Sequence, residues 1–116
     1  MKRQSWTELS SEPMSVDAIR RLYVPAEKYR ISPNTYEART CLPGILGLEC
    51  VVHVLSGRCQ YRSDADAAPA WSVTLEAGEV GTLPPGRYTF QVLDDMPVRL
   101  VDVFELPEKV RRKPKA

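Results

Sequence analysis

Gly78-Glu79-Val80-Gly81-Thr82-Leu83-Pro84-Pro85-Gly86-Arg87-Tyr88-Thr89 is the stretch that decides how this chain folds. Ala77-Gly78-Glu79 between two β-prone runs reads as a tight turn, because glycine takes positive φ without strain. Val80 to Leu83 is then a short strand, and it must stop at Pro84, which has no N–H to give to a ladder. Pro85-Gly86 brings the fixed φ and the permissive residue that the centre of a type II turn needs. Arg87 to Leu93 is β-branched, aromatic or long-chained and forms the next strand, so the stretch reads as a β-hairpin corner.

Upstream of the corner, Trp71, Val73 and Leu75 alternate with Ser72, Thr74 and Glu76, the pattern of a half-buried strand. Ser63 to Ala70 is an acidic, small-residue loop. Gly47 to Leu55 is the most β-prone run. Cys50, Val52 and Val54 share one face, while Val51, His53 and Leu55 share the other. Both faces are largely apolar, so this strand should be covered on both sides. Ser56-Gly57 reads as a two-residue hairpin turn that sets Val54 against Cys59 and Val52 against Tyr61. Cys50 then lies roughly 13 Å from the level of Cys59, too far for a disulfide.

Nearer the N-terminus, Ser15 is a plausible N-cap for a short helix over Val16 to Leu22, with a strand at Leu22-Tyr23-Val24 as the competing reading. Tyr29-Arg30-Ile31 reads as strand, Ser32-Pro33-Asn34 as a turn, and Thr35 to Cys41 as a further strand ending before Leu42-Pro43-Gly44. Downstream, Asp94-Asp95-Met96-Pro97 is a second hairpin-like turn, and Val98 to Leu106 the last long strand. About eight short strands with regular turn signals indicate an all-β sandwich or small barrel. Residues 1–14 are expected as a flexible, irregular arm, 15–107 as one domain, and 108–116 as a basic, solvated tail.

The 116 residues suffice for one modest core, and a formal net charge of +1 gives no global field to draw in nucleic acid or a membrane. No apolar run has the length of a membrane span or the build of a signal peptide, so the expected location is cytoplasmic. Cys41, Cys50 and Cys59 have no CxxC spacing, and with one histidine a metal site would need mostly carboxylate or thiolate ligands.

The order of elements resembles the cupins, jelly-roll-like small barrels of the double-stranded β-helix type. Gly78, Pro84 and Gly86 stand at the spacing of that family's second motif, but Thr89 occupies its histidine position and Leu93 its asparagine position. Gly57 matches the glycine that closes the first motif, while Cys50 stands at the glutamate. The paired histidines would fall among Pro43, Gly44, Ile45 and Leu46. The resemblance therefore implies a cupin with degenerate metal motifs, with neither metal nor other cofactor.

By the cupin register Thr89 and Gln91 point into the barrel. By amphipathic pattern Tyr88, Phe90 and Val92 are the face to be buried. The two readings agree only if the second face is covered as well. Candidate ligand-binding residues are Cys50, Cys59, Tyr61, Thr89, Gln91 and Arg39, with Asp102 sharing the pocket. Cys50 and Cys59 are expected as small hydrophobes and not as reactive thiols. His53 and Val51 lie on the opposite face from Cys50 and are read as a homodimer interface. The expected function is metal-free, non-catalytic binding of a sugar, small acid or effector. A metal-independent isomerase or epimerase and a scaffold with a vestigial pocket are the rivals.

Overall fold

The computed structural model describes residues 2–110. Among them are nine strands, β1 (Lys2–Ser5), β2 (Tyr29–Tyr36), β3 (Cys41–Leu46), β4 (Cys50–Ser56), β5 (Arg58–Ser63), β6 (Ser72–Glu76), β7 (Glu79–Leu83), β8 (Gly86–Val92) and β9 (Val98–Glu105). One helix, α1 (Val16–Leu22), precedes β2. The strands form two antiparallel sheets, a five-stranded one in the order β1-β7-β4-β9-β2 and a four-stranded one in the order β3-β8-β5-β6. Val52, Val54 and Leu100 from the first sheet pack against Cys59, Leu75, Phe90 and Val92 from the second. The chain is an all-β sandwich with one short helix, as its turn spacing indicated.

The corner at Gly78 behaves locally as its residues dictate. Gly78 has φ +88°, β7 ends at Leu83, and the chain resumes pairing at Gly86. It is not a hairpin, however, because β7 belongs to the five-stranded sheet and β8 to the four-stranded one. The Asp94–Pro97 turn likewise carries the chain from β8 to β9 across the sandwich. The same holds at Ser56-Gly57. Val54 pairs with Leu100 and Val52 with Asp102, while Cys59 pairs with Leu75 and Val92. Turn residues specify that the chain reverses, not whether the returning strand joins the same sheet or the opposite one. The three cysteines are free thiols, as expected, although the pairing used to separate two of them does not exist.

Gly57 makes the tightest of these crossings. Its φ is +83°, and a Cβ there would stand 2.6 Å from the Pro97 carbonyl oxygen and 2.7 Å from Val98 Cγ2. Gly57→Ala is expected to lose about 2 kcal/mol or more, from left-handed strain plus contact with backbone that cannot rotate away. A urea titration would register this as a lower midpoint at unchanged slope.

The predicted turn at Pro33 and the predicted strand end before Pro43 are both strand. Pro33 lies in β2 and Pro43-Gly44 in β3, and each strand is the outer one of its sheet. An edge strand has one side free of ladder bonds, which is where proline's missing N–H is tolerated.

The N-terminal segment differs most from expectation. Lys2–Ser5 pairs with β7, the Ser5 and Glu8 side chains form a capping box around the turn Trp6–Glu8, and Trp6 is only 3% exposed. Ser15 caps α1 by accepting from the Ala18 N–H, which turns Ala18 and Ile19 inward. Trp6, Ala18 and Ile19 thereby close the outer face of the five-stranded sheet over Val80, Val101 and Val103. The need to cover the second face of β4 was correctly read. The cover, though, is the chain's own N-terminus. His53 is fully buried beneath it and cannot touch a second copy, and Val51 is half-buried against the same layer. His53 therefore does not form the interface read from the sequence. The basic tail falls largely at 111–116, outside the described residues. No helix among the described residues is long and apolar enough to cross a membrane.

Candidate functional site

A cavity of about 260 Å³ opens between the two sheets. Strand alternation determines its lining. On the five-stranded sheet, β4 turns Cys50 and Val52 into it, β9 turns Asp102 and Phe104, and Tyr36 and Leu83 join from β2 and β7. From the other sheet come Leu42, Pro43 and Leu46 of β3, Tyr61 of β5, and Tyr88 and Phe90 of β8. The aromatic rings form a continuous wall, with centroids 4.7 Å apart for Tyr36 and Phe90, 5.0 Å for Phe90 and Tyr61, and 5.7 Å for Tyr61 and Tyr88. Gly44 permits this, because the Tyr88 ring lies where its Cβ would be.

Asp102 is the one carboxylate in this lining. Its Oδ2 accepts a hydrogen bond from Asn34 Nδ2 at 3.1 Å, and the Cys50 thiol faces its Oδ1 at 3.8 Å. Burial pushes its pKa up to about 6, against the pull of those two donors and of the Arg30 charge. Burial, reinforced by the Asp102 charge, also pushes the Cys50 thiol and the Tyr36, Tyr61 and Tyr88 phenols up, so all four keep their protons at neutral pH. Cys50 is therefore a poor nucleophile and a reluctant metal ligand. None of the three phenol hydroxyls is hydrogen-bonded to another described residue. They can donate to, or accept from, whatever enters.

The structure brings Cys50, Tyr61 and Asp102 together and sends the other candidates elsewhere. Thr89 and Gln91 lie on the outer face of the four-stranded sheet, paired across strands with Arg62 and Gln60, and Arg62 Nη1 donates to Gln91 Oε1 at 3.1 Å. The amphipathic pattern of β8 was the correct guide and the motif register was not. Tyr88, Phe90 and Val92 face inward. Cys59 is fully buried in the core between Leu75 and Val92 and does not line the cavity. Arg39 is held outside by Asp95, with Nη2 forming the ion pair at 2.6 Å, and by the Leu93 carbonyl at 3.2 Å. Tyr36, Tyr88, Phe90 and Phe104 were missed as site residues. Each alternates with a polar neighbour, which is the signal that would have found them.

No family model matches the sequence, and no curated protein does. Solved structures do. Oxalate decarboxylase from Bacillus subtilis, in a structure determined for the assignment of its Mn(II) centres, superposes with a TM-score of 0.57 at 18% identity, over 67% of this chain and 22% of that one. The same enzyme at pH 4.6 superposes with a TM-score of 0.57, again at 18% identity, over 67% of this chain and 21% of that one. Oxalate decarboxylase is a cupin. The chain has the cupin fold. It spans about a fifth of the length of these proteins.

A metal site of the kind found in the decarboxylase does not fit this cupin cavity. A Mn²⁺ ion favours several oxygen donors in octahedral array, whereas the cavity offers one carboxylate and one protonated thiol. Among the described residues no three His, Cys, Asp or Glu side chains could hold an ion together. The single histidine is on the far side of β4. Its Nδ1 lies 3.1 Å from the Val101 carbonyl, which can only accept, so Nδ1 carries the proton and Nε2 accepts from the Tyr23 hydroxyl at 2.8 Å. Burial lowers the His53 pKa to about 4.

Proposed function

We propose that this chain is a metal-free binding protein that holds a small, largely apolar molecule in the cavity between its sheets and does not convert it. The supporting observation is the lining itself, in which aromatic and aliphatic walls surround one hydrogen-bonded carboxylate and three phenol hydroxyls without hydrogen-bond partners among the described residues. Concave apolar sites with a few convergent polar groups are the usual form of small-molecule sites. The volume favours a compact ligand. Among the ligand classes expected from the sequence, a small anion is disfavoured, since among the described residues no lysine or arginine lines the cavity to offset Asp102.

A thermal-shift screen of small fragments tests this reading, because a ligand that binds only the native state stabilises it by about 2.7 kcal/mol at a hundred times its Kd. The shift should disappear in Leu42→Trp, which places a large ring at the half-open edge of the cavity. A screen without hits, or hits that survive that substitution, would contradict it.

The metal-independent isomerase reading has one observation in its favour. Asp102 titrates near 6 beside phenols, the range in which a carboxylate can both take and return a proton. Deuterium exchange from solvent into a bound fragment, lost in Asp102→Asn, would favour it over passive binding. The homodimer remains a proposal, through a surface other than His53, and sedimentation equilibrium tests it.

A further inference from the structure

We infer that the ligand of this cavity is a small organic cation, an alkylammonium held between the aromatic wall and Asp102. This rests on the reading of the cavity as a ligand site and specifies the class of ligand. Tyr36, Phe90, Tyr61 and Tyr88 form one connected wall, and the three ring pairs within it are tilted by 50–52° and so are not coplanar. Tilted rings cannot all stand edge-on to the same guest, and an aromatic face attracts a cation within about 6 Å of its centroid. Asp102 enters from β9 of the five-stranded sheet, whereas Tyr61, Tyr88 and Phe90 belong to the four-stranded sheet opposite. A cation between them would meet a negative charge on one side and the aromatic wall on the other.

Each alternative leaves something unpaired. A neutral apolar guest would contact the rings but dry the carboxylate without offering it a charge, so its binding would cost desolvation of Asp102 or its protonation. An anion would meet Asp102 with no cation among the described residues of the lining to offset it. The Arg30 guanidinium lies 5.7 Å from the Phe104 centroid and is not part of the lining. It shows that a ring of this site already attracts positive charge from outside.

The titration behaviour adds a signature. Asp102 acts electrostatically on Cys50, Cys59, Tyr36, Tyr61 and Tyr88, all of which keep their protons above neutral pH, so among these facing groups Asp102 is the one that titrates in mildly acidic solution. Cation affinity should fall about tenfold between pH near 8 and pH near 5, as the carboxylate takes up its proton.

The experiment is an NMR titration of the full chain, following the tyrosine ring resonances, with three probes. These are choline, its neutral isostere with tert-butyl in place of trimethylammonium, and propionate. Choline is expected to move the cavity resonances and to bind about tenfold tighter than the isostere, with propionate inert. Asp102→Asn and Tyr36→Leu should each weaken choline about tenfold, while Tyr61→Phe, which keeps its ring, should change it less than about twofold. If the isostere binds as well as choline, the cation is wrong and the ligand site stands. If propionate binds best, the charge assignment is reversed. If none of the three moves the resonances, this inference fails, and the fragment screen decides the ligand reading on its own.

Discussion

Trp6→Ala is expected to destabilise the fold by about 3–5 kcal/mol, the range for removing a buried aromatic ring that cannot be replaced by collapse of its surroundings. Trp6 is 3% exposed, stands edge-on to His53 with centroids 6.3 Å apart, and donates from Nε1 to the Glu12 carbonyl at 2.7 Å. Losing it removes ring burial, frees the Glu12 carbonyl, and opens a path for water to His53. The last effect gives an independent readout. With water admitted, the His53 pKa should climb from about 4 toward its ordinary 6.5, visible in the imidazole resonances during a pH titration. A loss below about 1 kcal/mol would show that the N-terminal segment is an appendage and not part of the core.

Asp102→Asn should have the second largest effect, and its sign depends on pH. The Asp102 pKa rises from 3.8 to about 6 on folding, so the native state binds its proton more tightly than the unfolded chain. That contribution is fully present below pH 3.8 and lost as pH rises through 6. His53 does the reverse. Its pKa falls from 6.5 to about 4, so its contribution is present above pH 6.5 and lost as pH falls toward 4. Each shift corresponds to about 3 kcal/mol at full extent, and the two oppose one another across nearly the same window. The unaltered protein should therefore hold nearly constant stability between about pH 6.5 and 4. Asp102→Asn removes one partner of the balance. It should be about 1–3 kcal/mol more stable near pH 8, part of the gain being offset by its altered bonds to Asn34 and Cys50, and should then lose stability on acidification. Urea titrations of both proteins across this range check the claim, and parallel profiles would contradict it.

These two residues also mark how far the sequence could be read. Strand alternation is a local property, so the two faces of β4, the inward set of β6 and the capped helix α1 followed directly from residue order. Sheet membership is not local. Gly57, Gly78 and Pro97 announced reversals, but only the competition among whole strands for partners decides that each reversal crosses the sandwich. The N-terminal segment was missed because Trp6 is a lone aromatic among polar residues. Its burial depends on a sheet face built from strands that follow it by more than forty residues.

The site was legible where a side chain's direction could be taken from alternation, as at Cys50 and Tyr61. It failed at Thr89 and Gln91, where a motif's register was kept alongside the apolar pattern of Tyr88, Phe90 and Val92 that alone gives their direction. Arg39 was misplaced for another reason. It stands in a left-handed turn with φ +65°, and its direction is set by Asp95 and Leu93 from a different corner.

Elemental analysis of the purified chain after dialysis against manganese, iron and zinc salts, followed by gel filtration, bears most directly on the claim that a cupin cavity here works without a metal. Well below one ion per chain, unchanged in Asp102→Asn, is the expected result. One retained ion per chain, released by that substitution, would place a metal at Asp102 and overturn the account.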